Sequence, residues 1–225
     1  MRKMMLLAID TSTNDSGVAL LSERGLLAEC AWFSGRRHAE QALPQIDLLL
    51  HHLDAEPSAL TAIAIATGPG SWSGLRVGMS LAKALAIAHD LPLIGVPTLD
   101  VLAYPHRERT ADAVAALVRL GRDRYGAATY RRVDDVWSQV EPLRNLALAD
   151  LRSLPAPLFV CGDVDEAARA LLEAQYGARV RFATGLENVR RPSALAELAW
   201  QRLAQGDVDD LVALEPLYLG SPVKG

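Results

Sequence analysis

The stretch Thr61–Ala88, TAIAIATGPGSWSGLRVGMSLAKALAIA, decides the architecture. Ala62–Ala66 is short and apolar and holds two β-branched Ile, which suits a strand buried on both faces. Gly68-Pro69-Gly70 breaks the chain sharply, because Gly permits positive φ and Pro fixes φ. Ser71 or Ser73 can cap the helix that follows, Gly74 to about Ala88. Its only charges are Arg76 and Lys83, which share one face. A helix apolar in every other direction reads as buried, each of Leu75, Val77, Met79, Leu81, Leu85 and Ile87 contributing ~1.5–3 kcal/mol if fully covered. A sheet covers one side of a helix. A neighbouring helix, a second subunit or both are expected to cover the rest.

Working outward, Met4–Ile9 reads as a buried strand, closed by the polar turn Asp10-Thr11-Ser12-Thr13-Asn14-Asp15. Gly17–Leu21 and Leu26–Phe33 complete an antiparallel meander. His38–Leu53 carries Leu43, Ile46, Leu50 and Leu53 on one stripe and reads as a helix that begins or kinks near Pro44. Leu91–Val96 is a further strand, and Thr98 caps a short helix. The polar stretch Pro105–Asp112 marks a boundary, giving domains 1–104 and 105–225, with the last segment packing back on the first. The second part starts with strands Ala113–Leu120 and Tyr125–Val133. It continues through a helical Leu143–Leu151, a strand Leu158–Cys161, a helix from Asp163 to Tyr176, a strand Val180–Phe182 and a helix Ser193–Gln205. The tail after Asp207 is expected to end without order. Strands then helices thus appear twice, which predicts mixed sheets with helices packed on them.

Composition narrows the function. The 225 residues are 50% hydrophobic and 22% charged with a net charge of −4, which argues against unaided nucleic-acid binding. Two cysteines, Cys30 and Cys161, make no CxxC pair, so a reducing compartment is expected. The apolar run Met4–Ile9 is too short for a signal peptide, and no run is long enough to span a membrane. The expected location is the cytoplasm.

Three constellations could carry chemistry. In Asp10-Thr11-Ser12, hydroxyls and backbone N–H groups can hold a phosphate and the carboxylate can hold Mg²⁺ through water; a plain polar turn is the competing reading. Gly70-Ser-Trp-Ser-Gly74 lacks the Lys of a phosphate loop, and Trp72 stands where a nucleophile elbow needs Ser. His38 lacks a second His four residues on, where Ala42 stands, and His51 and His52 point apart, so no metal site is expected. The arginines at 107, 109, 122, 124, 131 and 132 are interspersed with acids and read as a solvated surface.

Thr67-Gly-Pro-Gly-Ser-Trp-Ser-Gly-Leu-Arg-Val-Gly-Met-Ser-Leu-Ala-Lys-Ala-Leu-Ala closely resembles the signature of the bacterial TsaB family. The early Ile-Asp-Thr-Ser turn resembles it too, as do His38 and Leu43-Pro44-Gln45-Ile46. The resemblance is strong over residues 4–104 and weaker beyond. Arg119-Leu-Gly-Arg-Asp-Arg-Tyr125 stands where relatives carry an acidic, arginine-containing stretch before Glu-Val-Tyr, and Gly220 follows Pro216-Leu-Tyr-Leu in place of Arg.

The resemblance implies an α/β actin/Hsp70-like (ASKHA, ribonuclease H-like) fold with two related subdomains. It implies a non-catalytic, accessory subunit of the machinery that forms N6-threonylcarbamoyladenosine at position 37 of tRNAs reading codons that begin with A. The expected partners are a TsaD-like catalytic subunit and a TsaE-like ATPase, with a homodimer when the partner is absent and tRNA met only through the complex. No cofactor is expected on the chain alone, and ATP or ADP only at the level of the complex. The interface would lie on helices 38–53 and 74–88, at His38, Gln41, Gln45, Leu49, Arg76, Met79, Ser80, Ala82, Lys83 and Ala86. The alternative is a small ATP-binding phosphotransferase or ATPase of the same fold, with Cys161-Gly162-Asp163 as its second phosphate turn.

Overall fold

The computed structural model describes residues 4–35, 37–109 and 112–219. Its described residues divide into two compact units, the first comprising residues 4–101 with Arg190–Leu217 and the second Leu102–Val189 with residues 218–219.

The first unit is built on β1 (Met5–Asp10), β2 (Asp15–Ser22), β3 (Gly25–Phe33), β4 (Ala62–Gly68) and β5 (Leu93–Pro97), in the order β3-β2-β1-β4-β5. Tight turns make β1–β2 and β2–β3 antiparallel, whereas helices join β1, β4 and β5 in parallel. Side chains alternate across β1. Leu7 and Ile9, with Val18, Leu20, Ile63 and Ile65, form the core under α1 (His38–His52) and α2 (Trp72–His89). Ala8, Ala19, Ala62 and Ala64 are fully buried and point to the opposite face. There α5 (Pro192–Ala204), with small buried Ala194, Ala196 and Ala199, runs against β1, β2 and β5. Small residues on both elements allow that close approach.

Pro44 does not break α1. Its ring sits on an exposed side, and the helix runs continuously from His38. The expected division is corrected at α5, which belongs to the first unit and not to the second; the strap that follows belongs to the first unit too. The strap is pinned. Asp209 N donates to Leu93 O, Gly95 N donates to Asp209 Oδ2 at 2.7 Å, and Leu217 N donates to Thr67 O at 2.7 Å. Leu211 and Leu214 pack against the core. The strap thereby satisfies the open edge of β5. The expected lack of order at the extreme end concerns residues 220–225, which lie outside the described residues.

The second unit repeats the plan with β6 (Ala113–Gly121), β7 (Arg124–Val133), β8 (Val136–Ala147), β9 (Leu158–Gly162) and β10 (Val180–Phe182), ordered β10-β9-β6-β7-β8. A meander again precedes two parallel strands. The helix expected over Leu143–Leu151 is instead the end of β8 followed by a 3-10 turn, Leu148–Ser153. Leu143 and Leu146 mimic helical spacing, but β8 is an edge strand with shifted register, where Pro142 is tolerated. The helix α4 (Glu166–Tyr176) is capped by Asp165, whose side chain accepts from Ala168 N, and not by Asp163, which accepts from Arg119 N at 2.9 Å.

Candidate functional site

The glycine pattern of the opening stretch has a spatial meaning. The N-terminus of α2 lies directly on the Asp10-Thr11-Ser12 turn at the end of β1. Ser71 N donates to Ser12 O at 2.7 Å, and Thr11 Oγ1 donates to Gly74 O at 2.8 Å. A Cβ at Gly70 would lie 1.9 Å from Ser12 O, and one at Gly74 would lie 2.1 Å from Thr11 O. Only glycine permits this approach. Ser71 caps α2, accepting from Gly74 N.

The turn is buried, with Asp10 at 3% exposure and Ser12 at 0%. Asp10 Oδ1 accepts from Ser12 N at 2.9 Å and from Ser12 Oγ at 2.6 Å. Arg190 reaches the same place, its Nη1 3.9 Å from Asp10 Oδ2 and 3.4 Å from Ser12 Oγ. Nothing in the sequence flags Arg190, which stands 180 positions away from Asp10.

His38 is 1% exposed beneath the start of α1. Its Nδ1 lies 2.9 Å from both Ser16 Oγ and Ser34 Oγ, and Ser34 Oγ donates to Asn14 O. Because the serine protons have other acceptors, the geometry suits a ring protonated at Nδ1. Burial pushes its pKa down, with the Asp10 charge pulling weakly the other way. Ala42, four residues on, is buried in the core. Among the described residues no group of three or more His, Cys, Asp or Glu is placed to hold a metal.

The structure sorts the expected interface residues by face. His38, Leu49, Met79, Ala82 and Ala86 are buried against the sheet and the neighbouring helix, so as surface contacts they are corrected. Arg76 and Ser80 are exposed, Gln41, Gln45 and Lys83 half-buried. Gln41 accepts from Trp32 Nε1 at 3.0 Å, and Lys83 Nζ donates to Val212 O of the strap. The helix α2 is not covered all round either. Leu75 and Met79 are buried, but Ile87 is 67% exposed. Outward apolar side chains absent from the expected interface are Leu48 on α1 and Trp72 on α2, and Leu43, expected on the inward stripe of α1, is 44% exposed. Helical spacing gave the stripes, but not which stripe meets the sheet.

In the second unit the arginines are tied to acids. Arg119 Nη1 lies 2.6 Å from Asp165 Oδ2, Arg132 pairs with Glu108, and Arg109 with Glu187. Burial, then the hydrogen bond to Asp165, pushes Tyr125 up to about 12. Cys161 and Gly162 are buried. Gly162 N donates to Asn188 Oδ1, so the second candidate turn is internally satisfied.

Two units that repeat one strand order, each a meander joined to two parallel strands and carrying helices, define a protein of the actin-like class. The ethanolamine utilization protein EutJ from Carboxydothermus hydrogenoformans shares this fold at a TM-score of 0.50 and 12% identity, over 84% of this chain and 88% of that one. The family described as "TsaD: tRNA N6-adenosine threonylcarbamoyltransferase" matches residues 32–185. The chain is 33% identical over 220 residues to the tRNA threonylcarbamoyladenosine biosynthesis protein TsaB of Bacillus subtilis, covering 96% of this chain and 94% of that protein. The solved structure of YeaZ from Pseudomonas aeruginosa superposes with a TM-score of 0.79 at 27% identity, over 95% of this chain and all (100%) of that one. The chain belongs to the TsaB family of tRNA threonylcarbamoyladenosine biosynthesis proteins.

Proposed function

We propose that this chain is the accessory, non-catalytic subunit that scaffolds and activates a TsaD-like catalytic subunit, together with a TsaE-like ATPase, in forming N6-threonylcarbamoyladenosine at position 37 of tRNA. The observation that carries this reading is the outward side of α1 and α2, where Leu43, Leu48, Trp72 and Ile87 are each more than two-fifths exposed (44%, 44%, 43% and 67%). Unlike scattered single residues, they sit on two helices that pack against each other. Small Ser80 and Ala84 on the same side of α2 leave room for a helix of the partner. The catalytic role falls to the partner, because His38 is held by two serines and Ala42 supplies no second ligand. A homodimer forms through the same helices when the partner is absent. Nucleotide and tRNA are met at the level of the complex, in the cytoplasm. No helix among the described residues is long and apolar enough to cross a membrane.

The test is co-purification with the TsaD-like subunit. Ile87→Asp and Ala84→Arg should abolish capture and leave the circular dichroism melting curve unchanged. Met79→Asp, on the inward face, should unfold the first unit instead. Undiminished capture by Ile87→Asp, Ala84→Arg and Leu48→Asp together would defeat the reading.

A further inference from the structure

We infer that Arg190 acts as a built-in cation that closes the Asp10–Ser12 turn to a divalent metal ion and the phosphate it would carry. The turn has the right parts for such a ligand, a carboxylate and two short hydroxyls at a strand end. The fold does not present them. Asp10 Oδ1 is taken by Ser12 N and Oγ, Thr11 Oγ1 is directed to Gly74 O, and Ser12 O accepts from Ser71 N. The remaining carboxylate oxygen, Oδ2, faces the Arg190 guanidinium at 3.9 Å.

A guanidinium keeps its charge at any physiological pH, so it cannot yield the carboxylate by losing a proton. A divalent ion entering there would meet a fixed positive charge in a site with little water to screen it. Free phosphate would meet the Asp10 carboxylate. The backbone that carries the cation is also held by the residues that follow it. The Arg190 side chain is 8% exposed, and Arg191 Nη1 and Ser193 N both donate to the Glu29 carboxylate at 3.2 Å. Pro192 packs on Gly17, where an added Cβ would lie 3.0 Å from the ring. Arg190 is therefore part of the start of α5 and not a surface side chain free to swing away.

The proposal does not depend on what α1 and α2 bind, and partner capture plays no part in its test. Mn²⁺·ADP is titrated into the full chain and free Mn²⁺ is followed by electron paramagnetic resonance. The natural chain should take up none, R190Q should bind at least about tenfold more tightly, and D10N added to R190Q should remove the gain. Equal uptake by the natural chain and R190Q, no gain in a folded R190Q, or a gain that survives D10N overturns the proposal. Where R190Q does not fold, the uncharged R190M decides by the backbone amide signals of Asp10, Thr11 and Ser12, and the natural chain is read in the same way. Broadening by Mn²⁺·ADP in R190M alone upholds the closure, and broadening of these signals in the natural chain overturns it.

Discussion

The Thr11 hydroxyl donates to the Gly74 carbonyl at 2.8 Å, joining residues 63 positions apart in the chain. This bond ties the turn after β1 to the start of α2. It exists because Gly74 has no Cβ, since an added one would lie 2.1 Å from Thr11 O and 3.2 Å from His38 Nε2.

Gly74→Ala therefore sets two effects against each other. Helix propensity favours Ala by about 1 kcal/mol. Overpacking against a backbone carbonyl opposes it, and because that atom cannot rotate away the cost is expected at the upper end of ~1–3 kcal/mol or beyond. The net expectation is destabilisation by about 2 kcal/mol or more, read from urea unfolding of the first unit. Ser80→Ala, on the exposed side of the same helix, should stay within about 0.5 kcal/mol. A stabilised Gly74→Ala would mean that the contact is loose.

Arg190→Met leaves the Asp10 carboxylate buried without its counter-charge. Removing one partner of a buried pair costs ~3–5 kcal/mol, and the 3.9 Å separation places this pair near the lower value, about 3 kcal/mol. Asp10→Asn in the same chain removes the stranded charge and should restore part of the loss. A double-mutant cycle measures the coupling, and strict additivity would show that the two charges act independently.

His38 makes stability depend on pH. Its folded pKa is lowered by burial, so the folded state binds a proton less readily than the unfolded chain. The stabilisation is complete above the unfolded value of about 6.5 and is lost as pH falls towards the lowered folded value. His106, lowered by burial and then by Arg109, adds a term of the same sign in the second unit. His38→Gln should be less stable at pH 7.5 yet show a shallower decline between pH 6.5 and pH 5, near the histidine range. Parallel declines would assign the acid limb to other groups.

Asp209→Ala should loosen the strap on β5. It removes the acceptor of Gly95 N and one partner of Arg202, whose Nη1 also donates to Gly95 O at 2.7 Å. Hydrogen bonds that Arg202 donates to the Asp207 carboxylate, with the one to Asp209, hold its guanidinium firmly charged. A backbone donor left without its partner costs ~1–3 kcal/mol. Hydrogen exchange should quicken at Gly95 and at Leu217, whose N–H bonds to Thr67 O. Protection unchanged at both amides would show that the strap holds without Asp209.

Much of the fold was legible because it is written locally. Alternating or continuous apolar runs marked nine of the ten strands among the described residues, and Val180–Phe182 fell where the residues placed it. The exception, β8, is an exposed edge with interrupted pairing, so its side chains carry neither a clean period of two nor a buried run. The cap of α4 lies two positions after the expected one, in a stretch with two aspartates, of which Asp163 instead serves the backbone of β6. Of the candidate site, the glycine loop, the polar turn and the lack of a second His beside His38 were all visible.

Residue order alone carried most of the succession of elements, the coarse recurrence of strands then helices, and the family, because propensity, turn chemistry and a dense glycine motif act over a few neighbouring positions. The fold alone settled which stripe of α2 turns inward, which bonds pin the last segment, and that Arg190 arrives beside Asp10. The physical reason is that helical spacing gives angles about the helix's own axis and says nothing of how that axis is rotated against a sheet. A buried charge is likewise matched through space, by whichever group the closed chain brings within a few ångströms.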